Sequence, residues 1–278
     1  MDKFYTIPSY SKKCIDKVED IYGDYSQWRL VVEPSAGNGS FLQQIPTQRK
    51  VGMDIEPEGE NIMKQSCFDY VPKHQSETRI LVIGNPPFGR VCSMAIKFFN
   101  HAAAWADVIA FIVPRTFRKI SVQNKLNTLF HLIYDEEIPI SPCHFTPKMM
   151  AKCCFQVWEK RIQLRPLILL PTYHEHWEFL SYGPLDNKRQ PTPPKGADFA
   201  IRAYGGKIGE ICDENLHLLR PKSWHWIKVN ETKINKYTLI KHLRNLDYSK
   251  SLNTARQNSM GRAELVNLYT IFLDTMGK

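Results

Sequence analysis

Short apolar runs alternate with longer amphipathic stretches through the first 160 residues of the chain. Each apolar run is short, rich in Val and Ile, and typical of a buried β-strand. Strands that alternate with helices predict an α/β fold whose sheet is mostly parallel, with helices on both faces. The predicted strands cover residues 29–32, 50–55, 80–83 and 107–113, with a final strand pair at 138–140 and 153–158, and the predicted helices cover residues 9–22, 94–105 and 119–132.

The pattern changes after the last of these strands. Prolines cluster at positions 184, 191, 193 and 194, and residues 197–211 alternate short apolar runs with glycines. This composition predicts a small, partly β region, followed by helices over residues 232–247 and 262–274. We therefore expect two domains, one over residues 1–160 and one over residues 161–278.

A glycine-containing loop, Glu33-Pro34-Ser35-Ala36-Gly37-Asn38-Gly39, follows the first predicted strand. Gly37 and Gly39 allow the backbone to approach a ligand closely, and the chain after them is expected to enter a helix through Phe41 and Leu42. Asp54 ends the next strand 17 residues after Gly37, near the offset of about 20 residues at which a carboxylate meets ribose hydroxyls. Because the loop is not G-x-G-x-x-G, a dinucleotide with a pyrophosphate is disfavoured.

The tetrapeptide Asn85-Pro86-Pro87-Phe88 follows the third predicted strand. Ligands of open α/β sheets bind at the carboxyl ends of the strands, where these residues lie. The prolines fix φ and donate no hydrogen bond, so the Asn85 amide oxygen and the Pro86 carbonyl are available as acceptors. Phe88 adds a flat surface for stacking. Two acceptors and an aromatic face suit the exocyclic amine of adenine, and they also suit a cytosine N4 amine or a glutamine side-chain amide.

Taken together, these motifs resemble those of a family. Residues 4 to about 158 look like a class I S-adenosylmethionine-dependent methyltransferase of the adenine-N6 group, in the gamma order of motifs. The resemblance implies a Rossmann-like sheet that binds the cofactor and carries out catalysis, followed by a smaller, basic, C-terminal target-recognition region. It is carried by Phe4-Tyr5-Thr6-Ile7-Pro8, Glu33 to Gly39, Asp54-Ile55, Asp69-Tyr70 and Asn85 to Phe88.

The resemblance also implies roles for individual residues. The methionine end of the cofactor would lie near Thr6 and Glu33, and Asp54 would take its ribose hydroxyls. The implied cofactor-binding residues are Tyr5, Thr6, Glu33, Ser35, Gly37, Asn38, Gly39, Asp54, Ile55, Asp69, Tyr70 and Asn85. The implied catalytic residues are Asn85, Pro86, Pro87 and Phe88, and the implied substrate-binding residues are Phe88, Phe145 and Lys148.

Composition and charge indicate the compartment of the protein and the kind of partner it binds. No apolar stretch of the 278 residues approaches 18 residues, and the first residues are unlike a signal peptide, so we expect no membrane association and no secretion. The seven cysteines match no zinc or disulfide framework, which favours no metal and a reducing compartment, cytoplasmic or nuclear. Residues 1–159 carry 18 Lys+Arg against 17 Asp+Glu, whereas residues 160–278 carry 19 against 11. A polyanionic partner bound mainly by the second region is therefore expected.

Several functions remain open at this point. Methylation of adenine N6 in DNA, by an enzyme of a phage, a virus or a restriction-modification system, is favoured over methylation of RNA, because the layout is compact and a basic region follows the catalytic one. A protein-glutamine methyltransferase shares the tetrapeptide but usually carries its substrate domain upstream. A non-catalytic nucleic-acid-binding partner is the remaining alternative. The recognised bases and the oligomeric state do not follow from the sequence.

Overall fold

The computed structural model of the chain describes residues 3–73 and 79–276. The chain forms two compact units, Met1–Ile168 and Leu169–Lys278. Within the described residues, no helix is both long enough and apolar enough to cross a membrane.

The first unit is built on a seven-stranded sheet with the order β4-β3-β2-β5-β6-β9-β7. The first five strands in this order are mutually parallel, and β9 lies antiparallel between β6 and β7. The predicted α/β fold with a mostly parallel sheet is therefore confirmed. The strands are β2 (Leu30–Glu33), β3 (Lys50–Asp54), β4 (Ile62–Lys64), β5 (Ile80–Gly84), β6 (Val108–Pro114), β7 (Phe130–Ile138) and β9 (Cys153–Lys160).

Two short strands form a separate antiparallel pair, β1 (Tyr5–Thr6) with β8 (Phe145–Thr146). The pairing is extended by a hydrogen bond from the Ile7 amide to the His144 carbonyl, at 3.0 Å. It ties the N-terminal segment to the chain between β7 and β9.

Both faces of the large sheet are covered by helices, which are α1 (Pro8–Tyr22), α2 (Ser93–Ala102) and the short α3 (Ile120–Gln123). Successive strand residues point to opposite faces. Val31 accordingly packs with Ile15 and Val18 of α1, while Val32 packs with Phe98 and Phe99 of α2. This two-sided burial explains why the central strands are almost continuously apolar.

Two local predictions were wrong. The stretch 119–132 is helical only at α3, and its end belongs to β7, a strand that carries Asp135, Glu136 and Glu137 and so does not look buried in sequence. The predicted helix entered through Phe41 and Leu42 is also absent, because residues 34–49 form only turns. Hydrogen bonds from the Gln43 amide to Gly39 and from the Ile45 amide to Phe41 hold these turns.

The second unit contains a four-stranded antiparallel sheet with the order β10-β13-β11-β12. Its helices pack on one face of the sheet, and Trp224 and Trp226 fill a small core on the other face, where Trp226 is fully buried. The partly β region and the two final helices predicted from the sequence are confirmed. The elements are β10 (Trp177–Leu180), β11 (Phe199–Arg202), β12 (Ile211–Cys212), β13 (Trp224–Val229), α4 (Lys236–Arg244) and α5 (Arg262–Met276).

The division of the chain after Ile168 changes how the charged residues are shared between the two units. Residues 161–168 belong to the first unit, where Arg165 donates hydrogen bonds to the carbonyls of Gln123 and Phe130. Lys160, Arg161 and Arg165 therefore count with the sheet. Residues 1–168 carry a net charge of +4 and residues 169–278 carry +5, so the second unit is the more basic per residue by a smaller margin than the sequence division gave.

Candidate active site

Three neighbouring strands of the large sheet end in the residues that the sequence singles out. Glu33 ends β2, Asp54 ends β3, and Asn85 follows Gly84, the last residue of β5. Because β3, β2 and β5 are adjacent and parallel, these side chains come from the same edge of the sheet. This edge is where an open α/β sheet binds its ligands.

Asp54 holds the glycine loop in place. One of its carboxylate oxygens accepts a hydrogen bond from the Gly37 amide and the other accepts one from the Glu56 amide, each at 2.9 Å. The loop is also fixed by a hydrogen bond from the Ala36 amide to the Met53 carbonyl. Each carboxylate oxygen keeps a further lone pair, so Asp54 can shape the loop and accept hydroxyl groups at the same time.

Glycine is required at position 37 for two reasons. Its φ of +51° is in the left-handed region, and a Cβ there would lie 2.5 Å from Cε1 of Tyr5. The Tyr5 ring therefore lies directly on the loop. Burial, followed by the nearby Glu58 carboxylate, raises the pKa of Tyr5 to about 12, so Tyr5 is a neutral phenol at neutral pH.

Glu33 is an acid enclosed by protein, with an exposed fraction of 2%. Its carboxylate accepts a hydrogen bond from the Leu42 amide at 2.8 Å. Burial raises the pKa of this carboxyl well above its ordinary value, the Leu42 amide opposes that effect, and the charge of Asp54 adds to it. A buried acid in this state favours a cationic or hydrogen-bond-donating ligand group.

The orientation of Asn85 is set by the N-terminal segment. Its side-chain nitrogen donates a hydrogen bond to the Phe4 carbonyl, at 3.2 Å. Phe4 directly precedes β1, which is held by β8. With the amide nitrogen occupied in this way, the amide oxygen is the group of Asn85 that is left to accept a hydrogen bond from a ligand.

The rest of the tetrapeptide is anchored in different ways. Pro86 is buried, whereas Pro87 and Phe88 are half-buried, and Phe88 packs against the core of the α1 face. The Phe88 carbonyl accepts hydrogen bonds from the Met94 and Ala95 amides in the first turn of α2. The tetrapeptide thus lies between the end of β5 and the start of α2.

The turn between the tetrapeptide and α2 has an unusual backbone. Gly89, Val91 and Cys92 have φ values of +68°, +50° and +63°, which are in the left-handed region. Val91 is β-branched and 74% exposed, so its conformation is strained without being compensated by burial of its side chain. Strain of this kind clusters at functional sites.

Two buried polar atoms beside the site have no hydrogen-bond partner among the described residues. They are the hydroxyl oxygens of Tyr5 and Thr6. A buried hydroxyl normally has a partner. Together with the Asp54 oxygens and the exposed Ile55 side chain, Thr6 fits a ligand that carries hydroxyl, charged and flat apolar groups.

The remaining predicted residues are distributed around this edge. Ser35 is half-buried and Gly39 is buried, while Asn38 is exposed and accepts a hydrogen bond from the Ser40 amide. Asp69 is exposed and Tyr70 is half-buried beside Trp105. Lys148 is exposed, whereas Phe145 is only 6% exposed and belongs to the core. The backbone of Phe145 pairs with that of Thr6, and the role of Phe145 as a substrate contact remains a prediction.

Sequence reasoning missed the Phe4 carbonyl as the partner of Asn85. The two residues are 81 positions apart, and a backbone carbonyl leaves no signal in a sequence. The resemblance placed Thr6 near the methionine end of the cofactor, but it gave no contact between the N-terminal segment and the tetrapeptide.

No family model matches the chain, and neither does any curated protein. Among solved structures it is similar to the 23S rRNA methyltransferase ErmE, with a TM-score of 0.44, 12% identity, and coverage of 60% of this chain and 72% of that one. It is also similar to a chain of Pyrococcus horikoshii named "putative RNA methyltransferase" (TM-score 0.43, 16% identity, coverage 58% and 88%). A third is the magnesium protoporphyrin IX methyltransferase of Synechocystis, with bound SAM (TM-score 0.38, 12% identity, coverage 55% and 79%). Because every TM-score is below 0.5, we base no function on these similarities.

Proposed function

We propose that the chain is an S-adenosylmethionine-dependent methyltransferase that acts on the N6 amine of adenine in DNA. The observation that carries the proposal is the hydrogen bond from the Asn85 amide nitrogen to the Phe4 carbonyl. It turns the amide oxygen into a positioned acceptor at the carboxyl edge of the sheet. Nucleic acid, with DNA ahead of RNA, is the proposed partner.

The proposed substrate group is a weak nucleophile. The lone pair of an adenine amine is shared with the ring, so it must be localised before it can attack. Hydrogen bonds from the two amine protons to the Asn85 oxygen and to the Pro86 carbonyl favour a tetrahedral nitrogen. They also stabilise the positive charge that develops on it. One amine proton then leaves for water, and no dedicated base is needed.

The cofactor, when bound, supplies an electrophilic methyl group. Chain residues that would hold it are Thr6, Glu33, Ser35 and Gly37 for the methionine end and Asp54 for the ribose, and the unpartnered Thr6 hydroxyl supports this fit. Ile55 would lie against its adenine ring, with Asp69 and Tyr70 beside that ring. Asn38, Gly39 and Tyr5 would shape the loop. Catalysis is then largely alignment of the amine with the methyl carbon.

Adenine in a duplex cannot reach this edge while it is stacked. The target nucleotide must therefore be extruded, and Phe88, which is half-exposed beside Asn85, would stack on the extruded base. Lys148, which is exposed, would contact a flanking phosphate. The basic second unit would supply further backbone contacts.

The experiment offers the purified full chain a labelled methyl donor together with duplex DNA, RNA and protein in separate reactions. Mass spectrometry of the digests identifies the product. We expect N6-methyladenine from DNA. Label found only in RNA would show that RNA and not DNA is the substrate. Label found only on cytosine N4 or on protein glutamine would overturn the assignment to adenine.

A further inference from the structure

We propose that Val91 is a wedge that enters the stacked bases of duplex DNA and holds open the place from which the target adenine is extruded. Val91 lies three residues after Phe88, on the turn between the tetrapeptide and α2. The inference rests on the proposed function, since it assumes that the substrate is duplex DNA. It assigns a contact with the DNA to a side chain to which the proposed function gives no role.

The backbone conformation of Val91 is costly for this residue type. Its φ of +50° is in the left-handed region, where a β-branched side chain is a genuine outlier. Glycine would adopt the same conformation without steric cost. The chain does use glycine two positions earlier, where Gly89 has a φ of +68°. A valine at position 91 therefore needs a benefit that outweighs its strain.

That benefit does not come from packing within the fold. The Val91 side chain is 74% exposed and belongs to none of the apolar clusters formed by the described residues. Hydrophobic stabilisation is proportional to the apolar area that is removed from water, so this side chain contributes little to the free protein. An apolar side chain in this position is suited to a partner that buries it.

The turn that carries Val91 is an exposed tip with an anchored base. Gly89, Arg90 and Val91 are all exposed, whereas Cys92 is only 3% exposed and packs in the core of the α2 face. A Cβ on Gly89 would lie 2.7 Å from Cγ of Met94, so the turn is packed closely on the start of α2. Val91 is thus presented to solvent from a fixed support.

The tip is close to the place where the extruded base would stack. Three residues of extended chain span at most about 11 Å, which limits the separation of Val91 from Phe88. The Phe88 carbonyl accepts hydrogen bonds from the Met94 and Ala95 amides at 3.2 and 3.3 Å, so both ends of the turn lie at the start of α2. When a nucleotide is turned out onto Phe88, the gap that it leaves is within reach of Val91. Proteins that kink or open DNA insert apolar side chains between base steps.

The charges around the tip fit a polyanion. From Asn85 to Ala106 the chain contains Arg90 and Lys97 but no Asp or Glu. Both cations are exposed, and Arg90 directly precedes the wedge. Among the described residues, Arg90 makes no side-chain hydrogen bond or ion pair, so its guanidinium can bind a phosphate. An apolar side chain beside a cation matches DNA, in which charged phosphates border the stacked bases.

The experiment compares two DNA duplexes under single-turnover conditions with the full chain and a labelled methyl donor. The site is first located by mapping N6-methyladenine on a long duplex of mixed sequence that the wild type has methylated. A short duplex of that site is then made in two forms, one with the target adenine paired with thymine and one with it opposite an abasic position. An unpaired adenine costs less to extrude, so transfer to the second form depends less on a wedge.

The variants separate the wedge from other effects. Val91→Ser should lower the transfer rate about tenfold or more on the paired duplex, and less than about threefold on the abasic duplex. Val91→Ile keeps an apolar, β-branched side chain and should stay close to the wild type on both. Val71→Ser is the matched control, because Val71 is also an exposed valine of the first unit but has no left-handed φ. It should leave both rates unchanged, and thermal unfolding checks that each variant is folded.

The outcomes distinguish the inference from the proposed function. If Val91→Ser transfers as fast as the wild type to the paired duplex, the inference is overturned and the proposed function stands. If Val91→Ser loses rate equally on both duplexes, the turn positions Phe88 and does not open the stack, which also overturns the inference. If the wild type methylates no duplex DNA, the proposed function fails and the inference fails with it.

Discussion

The side chain of Asn85 is hydrogen-bonded to the backbone of Phe4, 81 residues earlier in the chain, at 3.2 Å. This contact connects the tetrapeptide after β5 to the N-terminal strand and fixes which end of the amide faces a ligand. It also means that the proposed acceptor is held by a backbone carbonyl, which no single side-chain substitution can remove.

Replacement of Asn85 tests the acceptor directly. Asn85→Ala should lower the rate of methyl transfer by about a hundredfold to a thousandfold, the loss typical of one positioned polar group. The affinity for the methyl donor, measured by calorimetry, should stay within about threefold. Asn100→Ala is the control, because it also removes an amide-to-carbonyl hydrogen bond, to Lys125, away from the tetrapeptide. Unchanged transfer by Asn85→Ala would refute the role of Asn85.

Replacement of Asp54 tests the glycine loop. Asp54→Ala removes the acceptor of the Gly37 and Glu56 amides and the proposed ribose contact, so we expect the donor affinity to fall at least about tenfold. Asp24→Ala removes a similar contact, to the Ser26 amide, in an exposed turn, and should leave the affinity unchanged. Equal affinities of the two variants would show that Asp54 does not bind the cofactor.

The raised pKa of Glu33 predicts that the stability of the protein depends on pH. Below its ordinary pKa of 4.5 the group is protonated in both the folded and the unfolded chain. Above it the unfolded chain releases the proton while the folded chain keeps it, because burial raises the pKa of Glu33 in the folded state. This contribution to stability is therefore present below 4.5 and is lost as the pH rises through the folded pKa.

Glu33→Gln removes this dependence, since an amide cannot ionise. Its melting temperature relative to the wild type should rise as the pH is raised above 4.5, and thermal unfolding measured over that range checks the sign. Glu60→Gln, an exposed acid, is the control. A difference that shrinks with rising pH would contradict the raised pKa.

Trp226 tests the core of the second unit. It is fully buried, and its indole nitrogen donates to the Pro221 carbonyl at 3.2 Å, so Trp226→Ala should lower the free energy of unfolding by about 3–5 kcal/mol. Tyr237→Ala, at a side chain that is 78% exposed, should change it by less than about 0.5 kcal/mol. Denaturant unfolding measures both. A small effect at Trp226 would contradict its place in the core of the second unit.

Replacement of Val91 tests whether the backbone of the turn before α2 is strained. Val91→Gly should raise the free energy of unfolding by about 1 kcal/mol, since glycine tolerates the φ of +50° at no steric cost. Val71→Gly, also exposed but without a left-handed φ, should not stabilise the chain. If Val91→Gly gains stability and loses transfer rate equally on paired and unpaired adenine, the strained turn positions Phe88.

The strands that the sequence revealed are those buried on both faces. Residues 80–83 and 107–113 are continuous apolar runs because helices cover both sides of β5 and β6. Burial on both faces can therefore be recognised from the residue types alone. β7 was missed because three consecutive acids in it are used in side-chain contacts, including Arg118 with Asp135. Those partners are distant in sequence, so the strand resembled a polar segment.

The site was predictable only in its parts. The spacing of Gly37 and Asp54 indicated a nucleotide-binding loop, and the structure adds a hydrogen bond between the two residues that the sequence did not predict. The Phe4 contact could not be predicted, because it depends on β1 lying against β8 at the opposite end of the first unit's sequence. The contact that joins residues 161–168 to the first unit was not visible in the sequence either. Arg165 is hydrogen-bonded there to backbone carbonyls, which do not depend on residue type.

The pairing of β1 with β8 has a practical consequence for handling the protein. An affinity tag or fluorescent fusion joined immediately before Phe4 would pull on the strand that orients Asn85, whereas one joined after α5 is attached to the other unit of the chain. Preparations that differ only in which terminus carries the tag should therefore differ in turnover. An enzymologist who finds an inactive sample should move the tag before doubting the substrate.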